Sequence, residues 1–304
     1  MRTVYLGTTD FAAAVLRRLA RSDHRPALVV TRPDRPSGRG RKLRSPPVAD
    51  AARELGIELD QPESVNAAAA RGRIAAARPE AVCICAFGAL LNDPLLSEYE
   101  MFNVHPSLLP RWRGAAPVER AIQAGDPQTG VSIMRPVPEL DAGPVYLGGT
   151  EPIDPEDDYG SLAPRLAQLS GELLVRALDE RPEPTPQPQE GVTYAEKIER
   201  SERRLDPTRP AAELARTVRA FTPHVGAFVQ PEGEEPLGVR RARAVAEDGR
   251  PAGSLEEAGA RLLLGTAQGA LELLEVQPPG GRPMDAGAYL RGRVRADRQD
   301  AGHG

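Results

Sequence analysis

The sequence predicts an α/β protein: a catalytic domain on a Rossmann-like, mostly parallel sheet, followed by a small OB-like β-barrel domain. Three observations carry this. Residues 27–31 and 81–86 run apolar without alternation, as strands covered on both faces of a parallel sheet do. The chain opens as strand, turn and helix, the start of a doubly wound sheet. After residue 205 it changes texture, with short strand-like runs at 226–230, 236–244, 261–266 and 270–277 between Gly, Pro and charged residues. The 304 residues suffice for two domains of about 150 each.

The elements follow in order. Residues 3–6 form the first strand, and 11–21 a helix with Phe11, Val15, Leu16 and Leu19 on one face. Asp10 is placed to cap it. The turn holds one glycine, so no dinucleotide fingerprint is present. Helices are predicted over 48–55, ended by Gly56, and over 65–77. A helix over 115–124 stops near Gly125; strands follow at 129–135 and 144–150, then a long amphipathic helix at 158–178. Residues 181–190 read RPEPTPQPQE, a semi-rigid linker. The expected division is 1–180, a linker over 181–204, and a second domain over 205–304, which begins with a helix over 211–221.

Net charge is −4, so any nucleic-acid contact must come from local patches. Lys42 and Lys197 are the only lysines, and a single arginine in so Arg-biased a chain is weak evidence. Cys83 and Cys85 lie on one strand and are not placed to pair. With a strand start in place of an export signal, this implies a cytoplasmic protein. No run approaches the roughly 18 apolar residues of a membrane span. Residues 32–47 contain six basic residues against Asp34 alone, with Pro and Gly opposing regular structure. Both a solvated surface loop and a phosphate-contacting loop fit that stretch.

The chemistry concentrates in residues 102–146. Asn103 and His105 alternate on a strand end and point to one face. Pro106 ends the strand, 107–114 form a loop, and Asp141 precedes the next strand-like run. Asn-x-His alone is also what a satisfied turn presents; Asp141 and the Ser-Leu-Leu-Pro loop tip the reading toward a site. An amide donor can hold a developing oxyanion, and a carboxylate fixes the tautomer of a histidine. No activated nucleophile is present, since Ser107 has no base beyond His105. That set suits direct acyl transfer between two bound substrates. Four His and two Cys offer no zinc-like ligand spacing, so no metal is expected.

Four stretches carry a resemblance: Asn103-Val104-His105, Ser107-Leu108-Leu109-Pro110, Arg111-Trp112-Arg113-Gly114-Ala115-Ala116-Pro117 and Leu140-Asp141-Ala142-Gly143. Together they resemble the core of the 10-formyltetrahydrofolate-dependent formyltransferases. The Arg-Trp-Arg-Gly-Ala-Ala-Pro form resembles the members that formylate initiator methionyl-tRNA. The Gly-Thr-x-Asp-Phe-Ala opening and Thr193 to Lys197 also fit. The resemblance implies Asn103, His105 and Asp141 as catalytic residues, and 10-formyltetrahydrofolate as formyl donor. It implies a folate pocket from Ser107, Leu108, Leu109, Pro110, Phe87 and Gly88. Arg39, Arg41 and Lys42 would contact the tRNA acceptor end, and the second domain would also contact tRNA. A monomer with no membrane partner is expected. The chain departs from the family at Phe87, commonly Tyr; at Pro106, often Gly; and at Thr222-Pro223-His224-Val225, often Asn-Pro-Trp-Pro.

A sugar-nucleotide formyltransferase would share the three catalytic residues, but the basic loop and barrel argue against it. Glycinamide ribonucleotide formyltransferases and formyltetrahydrofolate hydrolases lack the second domain and the Arg-Trp-Arg-Gly loop. A non-catalytic RNA-binding module would have no use for Asn103, His105 and Asp141.

Overall fold

The computed structural model describes residues 1–37, 42–231, 233, 235–247 and 249–292. It has two compact units. One comprises Met1–Pro117, Gln128–Pro152 and Ala163–Glu196; the other Val118–Pro127, Ile153–Leu162 and Lys197–Gly304.

The first unit is built on a seven-stranded sheet ordered Val145–Pro152, Gln128–Met134, Met101–His105, Ala81–Cys85, Thr3–Gly7, Pro26–Val30 and Glu58–Asp60. The strands from Met101–His105 to Glu58–Asp60 are mutually parallel, and the remaining two add antiparallel at one edge. Thr3–Gly7 and Ala81–Cys85 are buried at every position, which is why their sequences show no alternation. The chain winds outward from Thr3–Gly7 to one side, then returns to its other side with Ala81–Cys85. The loops leaving these two strands therefore diverge, the geometry that opens a crevice at the carboxyl ends of the strands. Across it the Thr8 hydroxyl donates to the Phe87 carbonyl at 2.8 Å. Cys83 and Cys85 are free and buried, and burial pushes the Cys85 thiol up to about 12.

Several elements depart from expectation for local physical reasons. The first helix, Asp10–Leu19, is capped by Thr9, whose side chain accepts from Ala12 N; Asp10 instead sits in the first turn, where its charge suits the helix dipole. Pro47–Leu55 ends as expected at Gly56, which adopts φ 63°. The next helix begins only at Ala68. The basic stretch is partly regular, because Arg35–Ser37 and Lys42–Arg44 pair as antiparallel arms. Strands Glu58–Asp60 and Leu255–Ala258 carry too little apolar sequence to signal themselves.

Residues 181–196 do not form a free spacer. Thr185 exchanges two backbone hydrogen bonds of 2.8 Å with Val145, and Tyr194–Ala195 pairs in parallel with Arg113–Gly114. Proline keeps this segment extended, and an extended backbone can dock on an edge.

In the second unit, helix Ala211–Phe221 packs on Leu237–Val245 of an antiparallel sheet with the form of a half-barrel. The sheet order is Ala227–Val229, Leu237–Val245, Ala270–Gln277, Arg261–Gly265 and Leu255–Ala258, with Met284–Asp285 also on Ala270–Gln277. Leu214, Val218, Phe221, Val239, Leu262, Leu271 and Leu273 are buried here. Among the described residues, no helix is long and apolar enough to cross a membrane.

Candidate active site

The strand Met101–His105 presents Asn103 and His105 on one face at its carboxyl end. Among the described residues the Asn103 side chain, partly buried, has no hydrogen-bond partner. His105 is 4% exposed. Its Nε2 lies 2.8 Å from the Trp112 carbonyl, so Nε2 carries the proton of that bond. Its Nδ1 lies 3.6 Å from Asp141 Oδ2, within reach of a charge interaction but too long for a hydrogen bond.

Asp141 adopts a left-handed backbone, φ 45°, a region that Asp enters more readily than most non-glycine residues. Its Oδ2 accepts from the Gly114 N–H at 2.9 Å. Gly114 must be glycine: its φ is 124° and a Cβ would lie 2.6 Å from the Ala195 carbonyl oxygen. Trp112, also at positive φ (63°), turns its carbonyl toward His105 and donates its N–H to Thr193 Oγ1 at 2.9 Å. The structure thus brings Asn103, His105 and Asp141 to one place, with a loop and a strap holding two of them.

Ser107 is structural in its contacts. Its hydroxyl donates to the Arg111 carbonyl at 2.6 Å, and its own carbonyl accepts from Ser132 Oγ at 2.8 Å. Ser132 Oγ in turn accepts from Leu109 N at 3.1 Å, and the Leu109–Pro110 peptide is cis. Ser132 therefore braces the 107–110 loop from the neighbouring strand.

Phe87 and Gly88 face a separate cavity of about 390 Å³ at the crevice between the diverging loops. The Phe87 side chain is 4% exposed and packs in the apolar core. Ser107, Leu108, Leu109 and Pro110 do not line this cavity. Its other walls include Thr8, Thr9, Arg32, Arg35 and Arg44. Arg32 donates to the Gly88 carbonyl at 3.2 Å. Arg35 and Arg44 stand directly opposite each other in the hairpin register. Among the described residues none of these three arginines makes an ion pair. Arg39 and Arg41 lie outside the described residues, as does the Lys42 side chain. Of the arginine cluster in the second unit, Arg240 is bonded to Gln277 and Arg243 to Glu272.

The residues that sequence reading missed act through their backbone or across long separations: the Trp112 carbonyl, Ser132, Thr193 and above all Gln187. Gln187 had only its place between two prolines to mark it. It is buried, accepts from Arg113, and donates to the Asp141 and Gly143 carbonyls.

Residues 1–178 match the formyl transferase family, and residues 197–294 match the C-terminal domain of formyl transferases. A methionyl-tRNA formyltransferase of Halorhodospira halophila is 44% identical over 302 residues, covering 96% of each chain. That of Methylobacillus flagellatus is 42% identical over 299 residues, again covering 96% of each. Among solved structures, methionyl-tRNA formyltransferase from Clostridium thermocellum superposes with TM-score 0.59 at 14% identity, over 80% of this chain and 92% of that one. HypX from Aquifex aeolicus, in complex with tetrahydrofolic acid, gives TM-score 0.65 at 19% identity, over 95% of this chain and 47% of that one. These two likenesses are of fold. With both family regions matched in order and relatives similar along nearly the whole length, the chain belongs to the formyl transferase family, among the methionyl-tRNA formyltransferases.

Proposed function

We propose that Asn103, His105 and Asp141 transfer the formyl group of 10-formyltetrahydrofolate to the α-amine of initiator methionyl-tRNA. The observation that carries this reading is the Asn103 amide, without a partner among the described residues, on the same strand face as a histidine whose Nε2 is held by the Trp112 carbonyl and whose Nδ1 faces Asp141. An unsatisfied donor at that point is complementary to an oxygen that gains charge during reaction.

The neutral amine attacks the formyl carbon, and the carbonyl electrons move to oxygen. Asn103 donates to that oxyanion. The bond from carbon to folate N10 then breaks, N10 gains a proton, and the new amide nitrogen loses one. His105 carries that proton. Its Nε2–H is occupied by the Trp112 carbonyl, so Nδ1 is the nitrogen that exchanges it. Asp141 balances the imidazolium charge from 3.6 Å. To the folate side of the site this reading assigns the Ser107, Leu108, Leu109 and Pro110 loop and, leaving the adjacent parallel strand, Phe87 and Gly88.

Acceptor-end phosphates fit the basic hairpin. In sequence Arg39 and Arg41 fall between its two arms and Lys42 opens the second, while Arg32, Arg35 and Arg44 line the cavity at its base. Like charges facing each other across a ladder are unfavourable until an anion joins them. The second unit adds further tRNA contact, and the protein acts as a cytoplasmic monomer. The direct test is formyl transfer from 10-formyltetrahydrofolate to methionyl-tRNA; tRNA binding without turnover would overturn the reading in favour of a binding module.

A further inference from the structure

We infer that Gln187 is a positioning residue for formyl transfer, acting through Asp141. This rests on the reading of Asn103, His105 and Asp141 given above. Gln187 is 9% exposed and uses its whole amide. Its Oε1 accepts from Arg113 Nε at 3.0 Å and Nη2 at 2.7 Å. Its Nε2 donates to the carbonyls of Asp141 and Gly143, both at 2.7 Å. The amide orientation is forced, since the reverse would set its NH₂ against the guanidinium and its oxygen against two carbonyls.

These bonds join the two segments that hold the catalytic carboxylate. Arg113 directly precedes Gly114, whose N–H binds Asp141 Oδ2; Gln187 binds the main-chain carbonyl of the same aspartate. Asp141 is thereby gripped at both ends while it sits at φ 45°, a turn that Asp tolerates but that its own backbone does not lock. Its distance of 3.6 Å from His105 Nδ1 leaves little slack for movement of that turn. Gly143 reinforces the turn, because a Cβ there would fall 1.8 Å from the Arg135 carbonyl oxygen.

Gln187 is not needed to dock its own segment. Thr185 pairs with Val145, Thr193 with Trp112, and Tyr194–Ala195 with Arg113–Gly114. Pro186 and Pro188 on either side restrict its backbone, so the side chain is presented with little conformational freedom left to lose. A group whose removal spares the fold but frees Asp141 is what a kinetic test can isolate.

The test uses Gln187→Met, which keeps length and loses every hydrogen bond, and Gln187→Glu, which keeps an acceptor for Arg113 but cannot donate as a carboxylate to the two carbonyls. With methionyl-tRNA and 10-formyltetrahydrofolate, kcat should fall about 10- to 100-fold in both, the range for a catalytic group displaced by about 1 Å. KM for each substrate should hold. The pH–rate profile should move as it does for Asp141→Asn, and the Gln187→Met/Asp141→Asn double variant should be no slower than Asp141→Asn alone. The NMR chemical shifts of the His105 ring supply a readout independent of turnover, with Gln187→Met displacing them in the same direction as Asp141→Asn. Should Gln187→Met fail to fold, Gln187→Glu carries the same comparison. Near-normal kcat in an active background, or losses that multiply in the double variant, would overturn the inference. A wild-type protein that does not formylate methionyl-tRNA would instead overturn the proposed function.

Discussion

Two regions of the first unit are built on opposite rules. Around His105, polar groups are tied down: Trp112, Asp141, Gly114, Ser132 and Gln187 each hold or are held by a neighbour. Around Thr8 and Gly88, Arg32, Arg35 and Arg44 line a cavity; among the described residues their guanidinium groups make one hydrogen bond, Arg32 to the Gly88 carbonyl, and the wall holds no carboxylate. Chemistry needs groups placed before the substrate arrives, since reorganisation during reaction costs rate. Capture of a polyanion needs charge that the protein has not already neutralised. In the first region the exception is Asn103, and its free amide is where this contrast is easiest to break. Asn103→Ala should lower kcat by about 10²–10³, as loss of one oxyanion donor does, with both KM values little changed. Single-turnover formyl transfer measures it. Near-normal turnover in Asn103→Ala or His105→Ala would mean the pinned region is structural.

How much of this could be read from the sequence follows the same divide. Asn103, His105 and Asp141 were legible because few structural reasons put an amide, an imidazole and a carboxylate beside a tight loop. The central strands were legible because burial on both faces leaves only apolar residues. What escaped was held by partners with no side-chain signature. The Trp112 carbonyl could be any residue's carbonyl, and Gln187 meets Asp141 across 46 positions. The Pro-rich composition of 181–190 correctly signalled an extended backbone, but composition does not say what an extended backbone pairs with. Thr9 and Asp10 can both cap a helix, and only the extended φ and ψ of Thr9 decide between them.

The second unit supplies a control, a tied-down polar cluster with no chemistry assigned to it. Glu272 has a side chain 7% exposed and receives both Arg261 and Arg243, the former through Nε at 3.0 Å and Nη2 at 3.1 Å. The Arg261 hydrogen bonds, with Arg243 behind them, hold its carboxyl below the usual carboxylate range. A depressed folded-state value stabilises the protein at pH above the unfolded value, and that stabilisation is lost as pH falls through the folded one. Glu272→Gln should therefore cost about 2 kcal/mol near neutrality, as loss of hydrogen bonds to a charged group does when the partner arginines are 62% and 36% exposed. The deficit should shrink in acid, and kcat of the folded fraction should not change. Denaturant melts at several pH values test the sign. A pH-independent deficit would show that packing, not charge, holds this cluster.

The smallest effect should come from the open region, and it is the one that separates binding from catalysis. Arg35 and Arg44 face each other across the hairpin without a carboxylate between them. If phosphates of the tRNA fill that gap, the Arg35→Ala/Arg44→Ala variant loses contacts made equally in ground state and transition state. KM for methionyl-tRNA should rise about tenfold, near 1.4 kcal/mol, while kcat and the KM for 10-formyltetrahydrofolate hold. The dependence of tRNA affinity on salt should flatten by about one unit of slope for each phosphate contact removed. Because two facing positive charges are gone, the variant should be no less stable than the wild type. A fall in kcat with unchanged salt slope would place these arginines with the pinned residues and erase the distinction between the two regions.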